Sequence, residues 1–264
     1  MASVLEYLVI PNRRDAVAVR AALESVITQA QTASFSPQER DSLIRTIMSD
    51  LADTEGPEAF AEKPIWKTWD VQTYETALEC IKVLSRTPTG TAHLSIPAAI
   101  RTQIHHAQHS GEPATGITKG QQHAVSALCN TLLLHQNAPS LCVKEGLGDW
   151  ALGQLAGDAD KGQDGTWAFL MGRIIMVLTS RATYGFLERL VDELDGLSVF
   201  KARLEDTLEH PDRSQLALVE YMKILYHVFA LYPETKGVER DQRFEEYILS
   251  FDTGSLAGDF VQTN

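Results

Sequence analysis

Residues 81–86 read IKVLSR, the end of an apolar run, ALECIKVLSR, that begins at Ala77. The same order of apolar and polar residues returns three times: VSALCN at 125–130, IIMVLT at 174–179 and MKILYH at 222–227. Aligned on these cores, Arg86, Asn130, Thr179 and His227 share one position, and their numbers differ by 44, 49 and 48. A helical unit recurring at about 40–47 residues marks armadillo and HEAT arrays, and longer loops account for the excess. The competing reading is a helical bundle with four cores alike by chance. Four cores in order favour the array. The expected fold is all-α, an armadillo/HEAT-like solenoid forming a single domain over residues 1–264.

Helical periodicity extends outward from these cores. RRDAVAVRAALESVITQA sets Val19, Leu23, Val26 and Ile27 on one stripe. SFSPQERDSLIRTIMSDL opens with Ser36 at the N-cap, Pro37 at the first helical position and Glu39 at the third, a capping box. KTWDVQTYETALECIKVLSR reads as one long third helix, and SIPAAIRTQIHHAQHS as a fourth with Pro97 in its first turn. KGQQHAVSALCNTLLLHQ, APSLCVKEG, DWALGQLAG, GTWAFLMGRIIMVLTSR, TYGFLERLVDELDG, SVFKARLEDTLEH and SQLALVEYMKILYHVFALYP follow. ERDQRFEEYILSF, 239–251, is the last. Turn-forming stretches such as TPTG, SGEPATG, GDADKGQDG, HPDRS and YPETKG separate them. No window alternates as a strand would.

The charge balance restricts partners. With 35 acidic against 23 basic residues the net charge is −12. That argues against broad binding of nucleic acid or anionic membrane, both of which need basic surface. No apolar run approaches the roughly 18 residues of a membrane span. The N-terminus MASVLEYLVIPNRRD lacks the basic start of a signal peptide. Cys80, Cys129 and Cys142 each sit among apolar residues, and their odd number suits buried reduced thiols rather than a disulfide framework. A cytosolic protein is expected.

In such a chain two cations one helical turn apart, Lys82 and Arg86, stand out. Stacked repeats line a concave face with one equivalent helix from each unit. The shared position then offers Arg86, Asn130, Thr179 and His227. One turn earlier lie Lys82, Ser126, Ile175 and Lys223, with Arg173 near the same face. Asn amides donate and accept, and so suit a peptide backbone, while Arg and Lys hold carboxylates. Blander roles exist for each. Cations near a helix C-terminus are favoured by its dipole, by about 0.3–1 kcal/mol each. Asn130 could cap a neighbouring helix, and Arg173 could form an ion pair with an acid nearby in sequence.

ALECIKVLSR, AVSALCNTLLL, FLMGRIIMVLTSR and LVEYMKILYHVFALYP resemble successive armadillo helices of the synembryn family. Its members are cytosolic chaperones and guanine-nucleotide exchange factors for heterotrimeric G-protein α subunits (Gα). Lys82 and Arg86 match the basic positions of its first pattern. Leu128, Cys129 and Asn130 match Leu-Cys-Asn, and Arg173, Leu178 and Thr179 match the third pattern. The resemblance spans about residues 70–235. It departs at Lys82, where Arg is common, and at His227, where Asn is usual. It implies a partner, the Gα C-terminal helix with its free carboxylate, received in a concave groove by Lys82, Arg86, Asn130, Arg173, Lys223 and His227. It further implies a cytoplasmic monomer, at the membrane only through its partner, with no cofactor and no covalent catalysis. Family members run longer, so the chain is expected to be the N-terminal part of a longer array. The other readings are an armadillo scaffold binding a different extended peptide without exchange activity, and a helical metal-dependent enzyme.

The last reading rests on QIHHAQH. His105 and His109 are four residues apart and could share a metal. No Cys, Asp or Glu stands beside them to complete a site, so helix-end histidines are expected. DADKGQDG, 158–165, resembles a calcium loop. It has Gln163 where Gly is required and Phe169 where the closing Glu belongs. GLG at 146–148 lacks a third glycine and a preceding strand. Trp66 and Trp69 read as core.

Overall fold

The computed structural model describes residues 4–32, 35–52, 64–109, 116–157, 165–180, 185–210 and 215–236. Among them every regular element is helical and no strand occurs, so the all-α expectation holds. The chain divides into two compact units, residues 1–147 with 161–163 and residues 148–160 with 164–264.

The first unit contains α1 (Ala16–Thr32), α2 (Pro37–Leu51), α3 (Val71–Leu84), α4 (Pro97–Gln108), α5 (Lys119–Leu134) and α6 (Ala138–Lys144). α1, α3 and α5 pack in a row, and α4 flanks α5. Local chemistry fixes their starts. In α2 the Ser36 hydroxyl accepts from Glu39 N at 3.3 Å, while Ser36 N donates to Glu39 Oε2 at 2.9 Å. Hydrogen bonding of the carboxylate by the Ser36 side chain and then by its backbone N–H holds the exposed Glu39 carboxyl below its ordinary pKa. A second capping box, Thr118 with Gln121, opens α5. Asp70 caps α3 by accepting from Thr73 N at 2.7 Å.

The third helix is shorter than the sequence suggests. A 3-10 turn covers Ile65–Thr68, the α-helix begins after Asp70, and Ser85 is its C-cap. Arg86 therefore lies in the turn beyond α3 rather than on its face. Pro88 explains the stop, because a proline disfavours helical backbone in the residue before it and cannot itself continue a helix. Gly90 completes this turn at φ +76°, with its would-be Cβ 2.4 Å from Pro37 O, so only glycine fits.

α1 and α3 are joined by side chains that bond to backbone. Thr73 donates to Ala16 O at 3.1 Å and the Cys80 thiol to Leu23 O at 3.2 Å. All three cysteines are free and buried. Burial pushes the Cys142 thiol up to about 12, and Cys80 also rises well above its usual value. Neither is poised as a thiolate nucleophile. The N-terminal segment is anchored by a buried group the sequence does not reveal. Tyr7 donates to Asp50 Oδ2 at 2.6 Å, and Arg13 pairs with the same oxygen at 2.6 Å.

The second unit contains α8 (Thr166–Ser180), α9 (Phe186–Asp192), α10 (Gly196–Glu209) and α11 (Gln215–Lys236); α7 (Leu147–Ala156) begins at its boundary. α8 and α11 form its main contact. Gly172 makes this possible, since a Cβ there would lie 3.2 Å from the Tyr221 ring and 3.3 Å from Glu220 Cβ. The expected helix at 239–251 and most of the calcium-like loop at 158–165 lie outside the described residues. Among those described, no helix is long and apolar enough to cross a membrane.

Candidate functional site

In the first unit Lys82 is not an open cation. Its side chain is only 19% exposed, with Nζ 2.9 Å from His123 Nδ1 and 3.3 Å from Glu79 Oε1. An ammonium can only donate, so His123 accepts at Nδ1 and is neutral there. Burial lowers the His123 pKa, the Lys82 charge lowers it further, and Glu79 opposes both. Asn130 reaches back from α5 to the end of α3. Its Nδ2 donates to Lys82 O at 3.3 Å and to Ser85 Oγ at 3.1 Å. The amide thus adds a second donor to a helix-end carbonyl that the Ser85 hydroxyl also bonds, at 3.0 Å. Its Oδ1 makes no bond among the described residues. Arg86, one residue past Ser85, is exposed, and its guanidinium has no hydrogen bond or ion pair among the described residues.

In the second unit the corresponding contact joins Thr179 and His227. Their Oγ1 and Nδ1 are 3.0 Å apart. Thr179 is fully buried rather than turned to a polar face, and its hydroxyl is satisfied there by Ile175 O and Met176 O at 3.0 Å. Burial, and then the charge of Lys223, lower the His227 pKa. Lys223 is half-exposed and pairs with Glu220 Oε1 at 3.2 Å. The Glu220 carboxylate is itself buried, and its Oε2 lacks a partner. Arg173 lies over the Phe169 ring at 5.2 Å, with its Nε buried and unpartnered. The ion pair that the sequence offered as its blander role does not form among the described residues.

The structure thus joins Lys82, Asn130 and the turn carrying Arg86 in one unit. It gathers Arg173, Lys223 and His227 on the α8–α11 pair of the other. Sequence reading missed His123 and Glu79 as the partners of Lys82. Glu79 was visible at i−3, but His123 required the α3–α5 register.

The histidine cluster has other duties. His106 is buried, with Nδ1 2.9 Å from Tyr74 Oη and Nε2 2.8 Å from Leu51 O. Both ring nitrogens are taken, so neither can serve a metal. The His105 and His109 rings stack at 4.7 Å. No group of three or more His, Cys, Asp or Glu among the described residues could hold a metal ion. Gly148 of the GLG run lies under Phe186, where a Cβ would come 2.2 Å from the ring. That glycine serves helix packing.

Among protein-family models, one described as guanine nucleotide exchange factor synembryn matches residues 77–252. The chain belongs to the synembryn family. The match begins at Ala77, where the apolar run that ends in the first repeated core starts, and covers all four cores. No curated protein matches the chain. A synembryn-family chain is a guanine-nucleotide exchange factor by family and not a covalent catalyst. The question its residues pose is therefore one of recognition.

Proposed function

We propose that this protein binds a G-protein α subunit through the subunit's C-terminal helix and acts as its guanine-nucleotide exchange factor and folding chaperone. The observation that carries this reading is the family match over all four repeated cores. The chemistry of the first unit supports a place for the terminal carboxylate. Arg86 offers a guanidinium that is unpaired among the described residues and can hold a carboxylate bidentately. Beside it, the Asn130 Oδ1 can accept from the last peptide N–H groups. Lys82 adds positive potential while remaining tied to Glu79 and His123. In the second unit Arg173, Lys223 and His227 meet polar side chains of the partner. Arg173 brings a donor that now has no acceptor.

Exchange requires no bond to be made or broken in this protein. A Gα subunit whose C-terminal helix is drawn away from its nucleotide domain is open and releases nucleotide. A protein that binds this form better than the closed one shifts the population by its differential affinity alone. The same preference shields an incompletely folded subunit, which is the chaperone role. The site of action is the cytoplasm, reaching the membrane only with the partner.

The test is nucleotide release from purified Gα with and without its C-terminal residues. Release accelerated by this protein only when those residues are present supports the proposal. Binding of Gα without faster release would leave a scaffold. Equal action on the truncated subunit would remove the C-terminal helix from the account.

A further inference from the structure

Arg13, Arg20, Arg45, Arg101 and Arg189 each pair with a carboxylate. Among the described residues Arg40 and Arg86 do not, although the chain carries 35 acidic residues. Both stand at the turn that follows α3. Arg40 Nη1 donates to the Thr87 hydroxyl and, at 2.7 Å, to Thr89 O. Arg40 projects from near the start of α2, and Gly90 lies against Pro37 O at that same start. Glu39, the acid next to Arg40, is engaged by the Ser36 cap. Residues 86–89 are all exposed. The Thr87 hydroxyl accepts from Arg40 and donates to nothing among the described residues, which leaves its proton to solvent. Two hydroxyl residues of the chain precede a proline, Ser36 and Thr87. Ser36 is committed to capping α2, and Thr87 caps no helix.

We infer that Thr87 is a phosphorylation site for a proline-directed kinase, and that Arg40 and Arg86 hold the phosphate. Pro88 has no N–H and biases Thr87 toward extended backbone. That suits an enzyme that binds its substrate extended and needs no donor at the following position. In the transfer, Thr87 Oγ1 bonds to the γ-phosphorus of ATP. The bond from that phosphorus to the β–γ bridging oxygen breaks, ADP leaves, and the hydroxyl proton passes to the kinase's base. Phosphothreonine carries about −1.5 to −2 charges at pH 7 and three acceptor oxygens. Arg40, already bonded to Oγ1, then faces an anion in place of a neutral hydroxyl. Arg86, one residue away, has a guanidinium fork to close on the remaining oxygens. One consequence rests on the Gα reading. A phosphate held by Arg86 takes the fork that the partner's terminal carboxylate would use and repels that carboxylate, so the modified protein binds the helix more weakly.

The test incubates the folded full chain with ATP, Mg²⁺ and a cyclin-dependent or a mitogen-activated kinase, and maps phosphate by mass spectrometry. Phosphate is expected at Thr87, absent in Thr87→Val and reduced at least about tenfold in Pro88→Ala, whose acceptor lacks the directing proline. Phosphorus-31 titration then reads the phosphate itself. Its second pKa should lie at least about 0.5 below that of a free phosphopeptide of residues 84–91, because two cations favour the dianion. Arg40→Met with Arg86→Met should restore the peptide's value. No phosphate at Thr87 with either kinase, while the peptide accepts it, would overturn the site. A pKa equal to the free peptide's in the modified parent would overturn the arginine cradle. Titration of the Gα C-terminal peptide reads the consequence, with affinity on the order of thirty-fold weaker after modification. Equal affinity before and after would overturn that consequence. An unmodified chain that does not bind the peptide would defeat the Gα reading, and the phosphate mapping and its pKa would still decide the site.

Discussion

Asn130 in the first unit commits both hydrogens of its amide to the end of α3, whereas Arg173 in the second keeps its Nε buried and unbonded. Both were candidates for the same recognition role on sequence grounds. A satisfied side chain between helices stabilises the stack, and removing it takes a donor from each of its partners. An unsatisfied one already bears a desolvation cost that a ligand can relieve. Lys82 belongs with Asn130, because His123 and Glu79 hold it. Arg86 belongs with Arg173, since it has no bond inside the described structure. The lesson is that position in a repeat selects candidates, and hydrogen-bond satisfaction separates scaffold from contact.

The largest stability effect therefore belongs to Asn130. Asn130→Leu should lower stability by about 1–2 kcal/mol, because Ser85 Oγ loses its donor and Lys82 O keeps only the Ser85 hydroxyl. Denaturant titration checks this. A midpoint that does not move would deny Asn130 its structural role and break the comparison.

A smaller effect separates the units by pH. The folded pKa values of His123 and His227 lie below the usual 6.5. A histidine with a depressed folded value stabilises the fold fully above its unfolded value, and that contribution is lost as pH falls through the folded one. Melting temperature should thus decline between about pH 7 and pH 5, and less steeply in His123→Gln and in His227→Gln. Lys82→Met should reduce the His123 contribution, leaving the larger part due to burial, and should not change that of His227, which Lys82 does not touch. A Lys82→Met profile identical to the parent's would contradict the pairing.

The smallest change is expected at Arg173. Arg173→Met keeps a long side chain against Phe169 and removes a buried donor that has no partner. Stability should shift by less than about 1 kcal/mol, the worth of the cation–π contact at most. A loss as large as that of Asn130→Leu would reveal a structural role and erase the contrast between the units.

Much of this was legible beforehand. The capping box at Ser36 and Glu39 followed from residue chemistry within one turn, and so did the helical cores. Thr118 and Gln121 carried the same signal and were passed over. The end of α3 was readable too, since Thr87-Pro88 marks a stop two residues past Ser85. What the sequence could not supply was register between helices. Whether Lys82 meets His123, or Thr179 meets His227, depends on how two helices slide and rotate against each other. The interval of 48 put Thr179 and His227 at one repeat position, and the structure brings them into contact. It did not foretell that Thr179 would be buried, where its hydroxyl is satisfied by its own helix.

The central claim is that Arg86 is the open cation that receives the partner's terminal carboxylate. Calorimetric titration of a Gα C-terminal peptide into Arg86→Glu, beside circular dichroism of the variant, tests it directly. Arg86 sits just past a helix end, so the reversal should cost stability no more than about 0.3–1 kcal/mol. Losing a charged pair that binding desolvates costs about 2 kcal/mol or more, on the order of thirty-fold in affinity. The account predicts a folded variant that binds the peptide at least that much more weakly. A folded Arg86→Glu protein with the parent's affinity would contradict it.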